Sequence, residues 1–335
     1  MLSTDDDEPR GCRVAAHQKE RRLVGLVVNP RAGSHRRDPE LASRLRQQLG
    51  ADGLVRTPET LSDLAGVAEE FRAREVAVVA IAGGDGTNHV AITHLIRAYL
   101  DTPLPSVALM RNGTMNTVAN SLGIPRQSPE RLLARYLRRL RRRVSIPLRY
   151  VETSVLQVGD HYGFIFGTGA IYGFIAEYNQ RNPRGAAWAA EVLTRTIGSA
   201  LVGGARVQRV AQRWRGRVSF PDGAAFPERD YFTVGASTCR QIGLGFKPFY
   251  RSAETRDQFH LLGIHCSVPA FIRSLPDVWR GRSIGGDKTY ERLTAEATLV
   301  GTDEAPIPYT LDGDVYTHDG PLTVKSGPRL RILMP

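Results

Sequence analysis

The strongest constraint on the fold is an alternation in the first hundred or so residues. Short apolar runs stop at polar turns, two of them glycine-bearing, and then give way to helical patterns. Leu23-Val24-Gly25-Leu26-Val27-Val28 is one such run, stopped by Asn29-Pro30. Val76 to Ala82 is another, ended by Gly83-Gly84, and Val107 to Met110 is followed by Arg111-Asn112-Gly113. An unbroken apolar run suits a strand buried on both faces. Helical stretches fall at 39–49, 61–73 and 89–100, with a short strand at 54–56. The alternation predicts a doubly wound parallel sheet with helices on both faces. Such sheets bind ligands beyond the carboxyl ends of their strands, and all three turns lie on that edge.

The texture changes near Pro147. Strand-like segments follow at 151–158, 162–166, 217–220, 231–235, 259–265 and 293–300, interrupted by helical stretches at 186–201 and 271–279. This predicts a mostly antiparallel β domain with one or two helices. The expected organisation is a flexible tail (1–21), an α/β domain (22–146) that carries the glycine turns, and a β-rich domain (147–320). A last strand, at about 321–335, is placed to return to the first domain.

Charge narrows the partners. The net charge is +11, and only four of the 45 basic residues are lysines. Arginine-rich surfaces suit phosphate and carboxylate partners. The three cysteines are scattered, which fits a reducing cytoplasm better than a disulfide framework. The acidic start, Asp5-Asp6-Asp7-Glu8, is not that of a signal peptide, and no apolar run is long enough to cross a bilayer. Membrane contact is then peripheral. Seven arginines crowd residues 131–143, with leucines at helical spacing. The simpler reading is a helix packed by its leucines with a solvated basic face; contact with anionic lipid is the alternative. Aromatic residues are not interleaved with the basic stretch, so no nucleic-acid partner is expected. A homodimer is compatible with the sequence.

The turns themselves carry chemistry. In Gly83-Gly84-Asp85-Gly86-Thr87, glycines let a ligand approach the backbone, and the amides opening the next helix point at an anion. Asp85 there would repel phosphate unless Mg²⁺ or a bound hydroxyl compensates. A tight turn with Asp85 as a helix cap is the plainer alternative. Asn29-Pro30-Arg31-Ala32-Gly33 and Arg111-Asn112-Gly113-Thr114-Met115-Asn116 repeat the arrangement after their own strands. There is no Walker lysine motif.

These three segments, together with Ser121-Leu122-Gly123-Ile124-Pro125, resemble the nucleotide-site motifs of the diacylglycerol kinase catalytic-domain superfamily, which includes sphingosine and ceramide kinases. Gly169 to Ala176, Arg256-Asp257-Gln258-Phe259 and Leu311-Asp312-Gly313-Asp314 resemble its later motifs, so the likeness spans about 22–335. The resemblance implies a cleft between two domains. ATP would lie on Asn29, Pro30, Arg31, Ala32, Gly33, Gly84, Asp85, Gly86, Thr87, Asn88, His89, Gly113, Thr114 and Asn116. Asp314 would be the base on the acceptor hydroxyl, Asp85 would orient magnesium or the acceptor, and Asp257 would join the metal network. The implied activity is ATP- and Mg²⁺-dependent phosphorylation of a diacylglycerol- or sphingoid-like lipid at the membrane surface. The chain departs from the pattern in having aspartate at 314 where glutamate is usual, and in Val90, Arg111, Thr117 and Gln258. A kinase of a soluble acceptor, akin to NAD kinases, or a homologue that binds without chemistry are the alternatives.

Overall fold

The computed structural model describes residues 23–30, 38–60, 62–141, 148–180, 186–201, 210–303 and 305–335. The expected tail, and Arg31, Ala32, Gly33, Arg142 and Arg143, lie outside the described residues.

The apolar runs become parallel strands. β1 (Val24–Val28), β3 (Val78–Ala82) and β4 (Ser106–Leu109) are buried along their whole length, and β2 (Gly53–Arg56) flanks β1. Their spatial order is β2-β1-β3-β4, so the winding reverses between β1 and β3. The connecting helices are α1 (Leu41–Leu49), α2 (Asp63–Ala73), α3 (Asp85–Ala98) and α4 (Thr117–Ser121). Helix α3 starts four residues before the sequence pattern suggested, because the glycine turn itself winds into its first turn. Helix α5 (Pro129–Arg141) follows, and it buries Leu132, Leu133, Tyr136 and Leu137 while Arg131, Arg138 and Arg141 face solvent. The leucines are core, as the simpler reading held.

The second half does not keep to itself. Strand β16 (Leu322–Leu333) pairs in parallel with β4 through Ile332 and Val107, and antiparallel with β5 (Tyr150–Val158) and β13 (Glu296–Gly301). Beyond β13 lie β8 (Trp214–Ser219) and β9 (Ala225–Tyr231), which complete a ten-stranded mixed sheet; β6 (His161–Gly163) pairs with β5. A separate six-stranded antiparallel sheet has the order β12-β11-β10-β7-β14-β15. Its strands are β7 (Ile165–Thr168), β10 (Thr233–Ser237), β11 (Phe259–Ile264), β12 (Thr289–Thr294), β14 (Ile307–Leu311) and β15 (Asp314–His318). The expected strand at 293–300 is thus two strands in two sheets, broken at Ala295.

This half carries three helices among the described residues: α6 (Ala170–Asn179), α7 (Ala186–Leu201) and α8 (Val268–Arg280). The extra one, α6, has only a weak amphipathic pattern and an internal Gly173, so periodicity alone does not mark it. One core packs beneath the parallel strands; a second, built from residues such as Phe166, Trp214, Tyr231 and Leu299, fills the space between the two sheets.

Candidate active site

The turns after β1, β3 and β4 meet at the point where the strand order reverses, the place where open α/β sheets bind ligands. Asn29 donates its backbone N–H to Ala82 O (3.1 Å) and its side-chain amide to Thr87 Oγ1 (2.7 Å), joining the first turn to the second. The Asn112 N–H reaches Gly83 O at 3.0 Å and joins the third turn to the second. Backbone lies on backbone there. A Cβ on Gly113 would overlap Gly84 Cα, and one on Gly84 would come within 3.1 Å of Gly113 Cα. Glycine at 113 is therefore required by packing whatever else binds, and a side chain at 84 would be tight against the same backbone.

Asp85 sits in the first turn of α3, but it caps a different helix. Its carboxylate accepts the N–H groups of Thr117 (2.9 Å) and Val118 (3.2 Å), which open α4. Burial raises its pKa, opposed by those two hydrogen bonds and by the Arg111 charge. Arg111 in turn donates to Ile124 O and Asn120 Oδ1 and fixes the far end of α4. Asn116 is left-handed (φ 51°) and clamps its own turn: its Oδ1 accepts from Gly113 N and its Nδ2 donates to Gly113 O.

The second sheet reaches this edge through the β14–β15 hairpin. Asp312 (φ 50°) and Gly313 (φ 96°) form its two-residue loop, the backbone that Asp-Gly adopts readily. The Asp312 carboxylate is buried and accepts the N–H groups of Phe164 (3.0 Å) and Ile165 (2.9 Å), at the break between β6 and β7. A Cβ on Gly163 would stand 2.8 Å from Asp312 Oδ2. Burial pushes the Asp312 pKa up to about 8, reinforced by the charges of Asp85 and Asp314. Asp314, two residues on, brings its carboxylate over the second turn: Oδ2 would lie 3.6 Å from a Cβ on Gly86.

His89 ties these parts together. Its ring is fully buried, with Nδ1 2.8 Å from Tyr162 O and Nε2 2.8 Å from Tyr316 Oη. A carbonyl only accepts, so Nδ1 carries the hydrogen and Nε2 accepts from the tyrosine hydroxyl. Burial lowers its pKa to about 4 and keeps the ring neutral. Thr93 of α3 adds two more bonds to Tyr162. Both ring nitrogens of His89 are engaged inside the protein, so it is a strut between α3, β6 and β15 and not the nucleotide contact the sequence suggested.

The expected residues thus divide. Gly84, Asp85, Gly86, Gly113, Thr114, Asn29, Pro30 and Asp314 stand on or near the accessible lip, whereas Thr87, Asn88, His89 and Asn116 are buried beneath it. Asp257 is elsewhere in its bonding. It is exposed and held by Arg329 of β16, whose Nε donates to Oδ1 at 2.7 Å. Among the described residues, no group of three or more histidine, cysteine or acidic side chains is arranged to hold a metal ion. The residues that sequence reasoning gave no role are Asp312, Gly163 and Tyr316; the Asp-Gly pair between two strand-like segments was the available signal for the first.

With this geometry in hand, comparison with known proteins is informative. Residues 24–147 match the sequence profile of the family described as "Diacylglycerol kinase catalytic domain". That segment is thus similar to the diacylglycerol kinase catalytic domain. The crystal structure of a diacylglycerol kinase from Bacillus anthracis str. Sterne is similar over 95% of this chain and 98% of its own, with 14% identity and a TM-score of 0.62. A second structure from the same organism has the same identity and coverage and a TM-score of 0.68. Curated proteins give no match. The structural likeness establishes the fold over nearly the whole chain, and the profile match makes the N-terminal segment that of a lipid-kinase-like family. No helix among the described residues is long and apolar enough to cross a membrane.

Proposed function

We propose that the chain transfers the γ-phosphate of ATP to the hydroxyl of a diacylglycerol- or sphingoid-like lipid. The observation that carries this reading is the placement of the Asp314 carboxylate beside Gly86, over the converged Gly84 and Gly113 turns, in a chain whose residues 24–147 match the diacylglycerol kinase catalytic domain. Residues 22–146 would serve the nucleotide and 147–320 the acceptor.

The amides of Asp85, Gly86 and Thr87 open α3 and have no partner within the helix, and the helix dipole adds positive potential there. They suit the nucleotide's phosphates, with Gly84 and Gly113-Thr114 as the floor. Asp314 takes the proton from the acceptor hydroxyl as its oxygen bonds to the γ-phosphorus; the bond from that phosphorus to the β,γ-bridging oxygen breaks and ADP leaves. Asp85 and Asp312 act at one remove, because both hold backbone amides. Magnesium held mostly by phosphate oxygens and water needs no protein cage, and the site fits that mode, with Asp314 the carboxylate beside the turn. Bound there, it would neutralise charge on the transferred group. Asp257, paired with Arg329, does not fit a ligand role. A cytoplasmic enzyme working at a membrane face is the corresponding location.

The test is transfer of labelled γ-phosphate from Mg-ATP to diacylglycerol, monoacylglycerol, sphingosine and ceramide in mixed micelles, with Asp314→Asn and Asp85→Asn beside the wild type. Label in one lipid, lost in Asp314→Asn by a factor of about 100 or more with nucleotide binding retained, supports the reading. ATP binding without label in any lipid sinks it, in favour of a soluble acceptor or a binding protein without chemistry.

A further inference from the structure

Helix α8 presents itself the wrong way round for a soluble helix. It turns Ser274 and Val278 inward, while Ile272, Leu275 and Pro276 stay partly or fully exposed and Trp279 is 56% exposed. At 100° per residue, these outward residues share one face opposite the buried pair. With Phe246 they line an open, almost wholly apolar hollow of about 380 Å³. The Trp279 indole nitrogen lies at the edge, facing Gly245.

Cations frame this ridge. Arg273 and Arg280 stand two turns apart on its flank, and Arg282 and Lys247 lie at its carboxyl end, where Lys247 N bonds to Val278 O. All four are exposed, and none makes an ion pair with another of the described residues. The helix itself contains one acid, Asp277. An apolar helix face with an exposed tryptophan, bordered by these cations, is complementary to a surface that is apolar in depth and anionic at its rim.

We propose that the outer face of α8 docks the protein on anionic phospholipid bilayers, with Trp279, Leu275 and Ile272 entering the headgroup boundary and Arg273, Arg280, Arg282 and Lys247 meeting lipid phosphates. The arginine face of α5 is a different surface, and it has no apolar outer ridge: its leucines are in the core. This goes beyond the kinase reading and does not depend on it.

The experiment is cosedimentation of the full chain, without nucleotide or acceptor, with vesicles of phosphatidylcholine alone and of phosphatidylcholine with phosphatidylglycerol in equal parts. Emission of the exposed Trp279 is followed with brominated lipid as quencher; Trp188 and Trp214 are less exposed. Binding to the anionic vesicles, with quenching, is expected. Each cation near an anionic surface contributes about fivefold, so Arg273→Gln with Arg280→Gln lowers affinity about 25-fold at low salt. Trp279→Ala lowers it about tenfold. All these side chains are at the surface, so unchanged thermal unfolding of each variant is part of the result. Binding that is absent, or equal in the variants and the wild type, overturns the proposal. So does binding lost in Arg131→Gln with Arg138→Gln and Arg141→Gln instead, or a wild-type dimer that Trp279→Ala dissociates, which would make the ridge a contact between copies.

Discussion

Asp312 makes a pH-dependent contribution to stability whose sign is opposite to that of most carboxylates. Its pKa lies at about 8 in the fold against 3.8 for the free group, chiefly through burial. At neutral pH the folded protein therefore holds a proton there that the unfolded chain has released. A group raised in this way stabilises fully below its unfolded pKa and loses that stabilisation as pH rises toward the folded one. The slope is about 1.4 kcal/mol per pH unit. Between about pH 6.5 and 8 the shifted histidines are lowered and titrate below and the buried Cys239 titrates above, whereas burial also raises Asp85, so the share of Asp312 is read as the difference between the wild type and Asp312→Asn. Over that interval the wild type should lose about 2 kcal/mol. Asp312→Asn should lose about 2 kcal/mol less than the wild type. Its Oδ1 can still accept from both Phe164 N and Ile165 N, as the protonated acid does, so the variant keeps the hairpin in place. Urea unfolding followed by circular dichroism at several pH values reads both slopes. A flat wild-type profile, or equal slopes in the two proteins, would refute the assignment of a proton to Asp312.

Three further outcomes follow from the geometry. His89→Gln should weaken an acid-side dependence: the histidine pKa falls from 6.5 to about 4, so as pH falls through that range the wild type loses about 3 kcal/mol more than the variant, in which His94, His161 and His265 still titrate; the same urea series checks it. Gly113→Ala forces a Cβ into Gly84 Cα and should destabilise by about 2 kcal/mol or more and weaken nucleotide binding as well, read by thermal unfolding and by titration with ATP. Asp257→Asn breaks only an exposed pair with Arg329, so stability should change by less than about 1 kcal/mol, and transfer rates at saturating magnesium should match the wild type; a shifted magnesium requirement would restore Asp257 to a metal role.

The parallel sheet was legible because burial on both faces leaves unbroken apolar runs, and β1, β3 and β4 are wholly buried. The convergence of the turns was legible for the same reason. Which atoms meet was not. Asp85 reads as a cap on its own helix or as a phosphate-site carboxylate, and it caps α4, which sequence spacing does not disclose. His89 reads as a helix-start residue near nucleotide; its enclosure depends on β6 and β15, which arrive 73 and 227 residues later. The split of 293–300 between two sheets, and the mixing of the late strands β5, β8, β9, β13 and β16 into the first sheet, depend on long-range pairing that local pattern cannot express.

The two halves are coupled through the carboxylates rather than merely adjacent. Asp312 binds the chain between β6 and β7, His89 binds β6 and β15, and β15 begins with Asp314. A displacement of the hairpin would therefore move Asp314 across Gly86, strip two amides of their acceptor and leave the buried His89 without Tyr316. Each of the last two losses exposes a buried polar group to an apolar setting, at about 1–3 kcal/mol. Asp314 thus stands on a support held at several points. On the kinase reading proposed above, the loop fixes the reach of that side chain, so an acceptor hydroxyl would have to be brought to Asp314 by the second half of the chain.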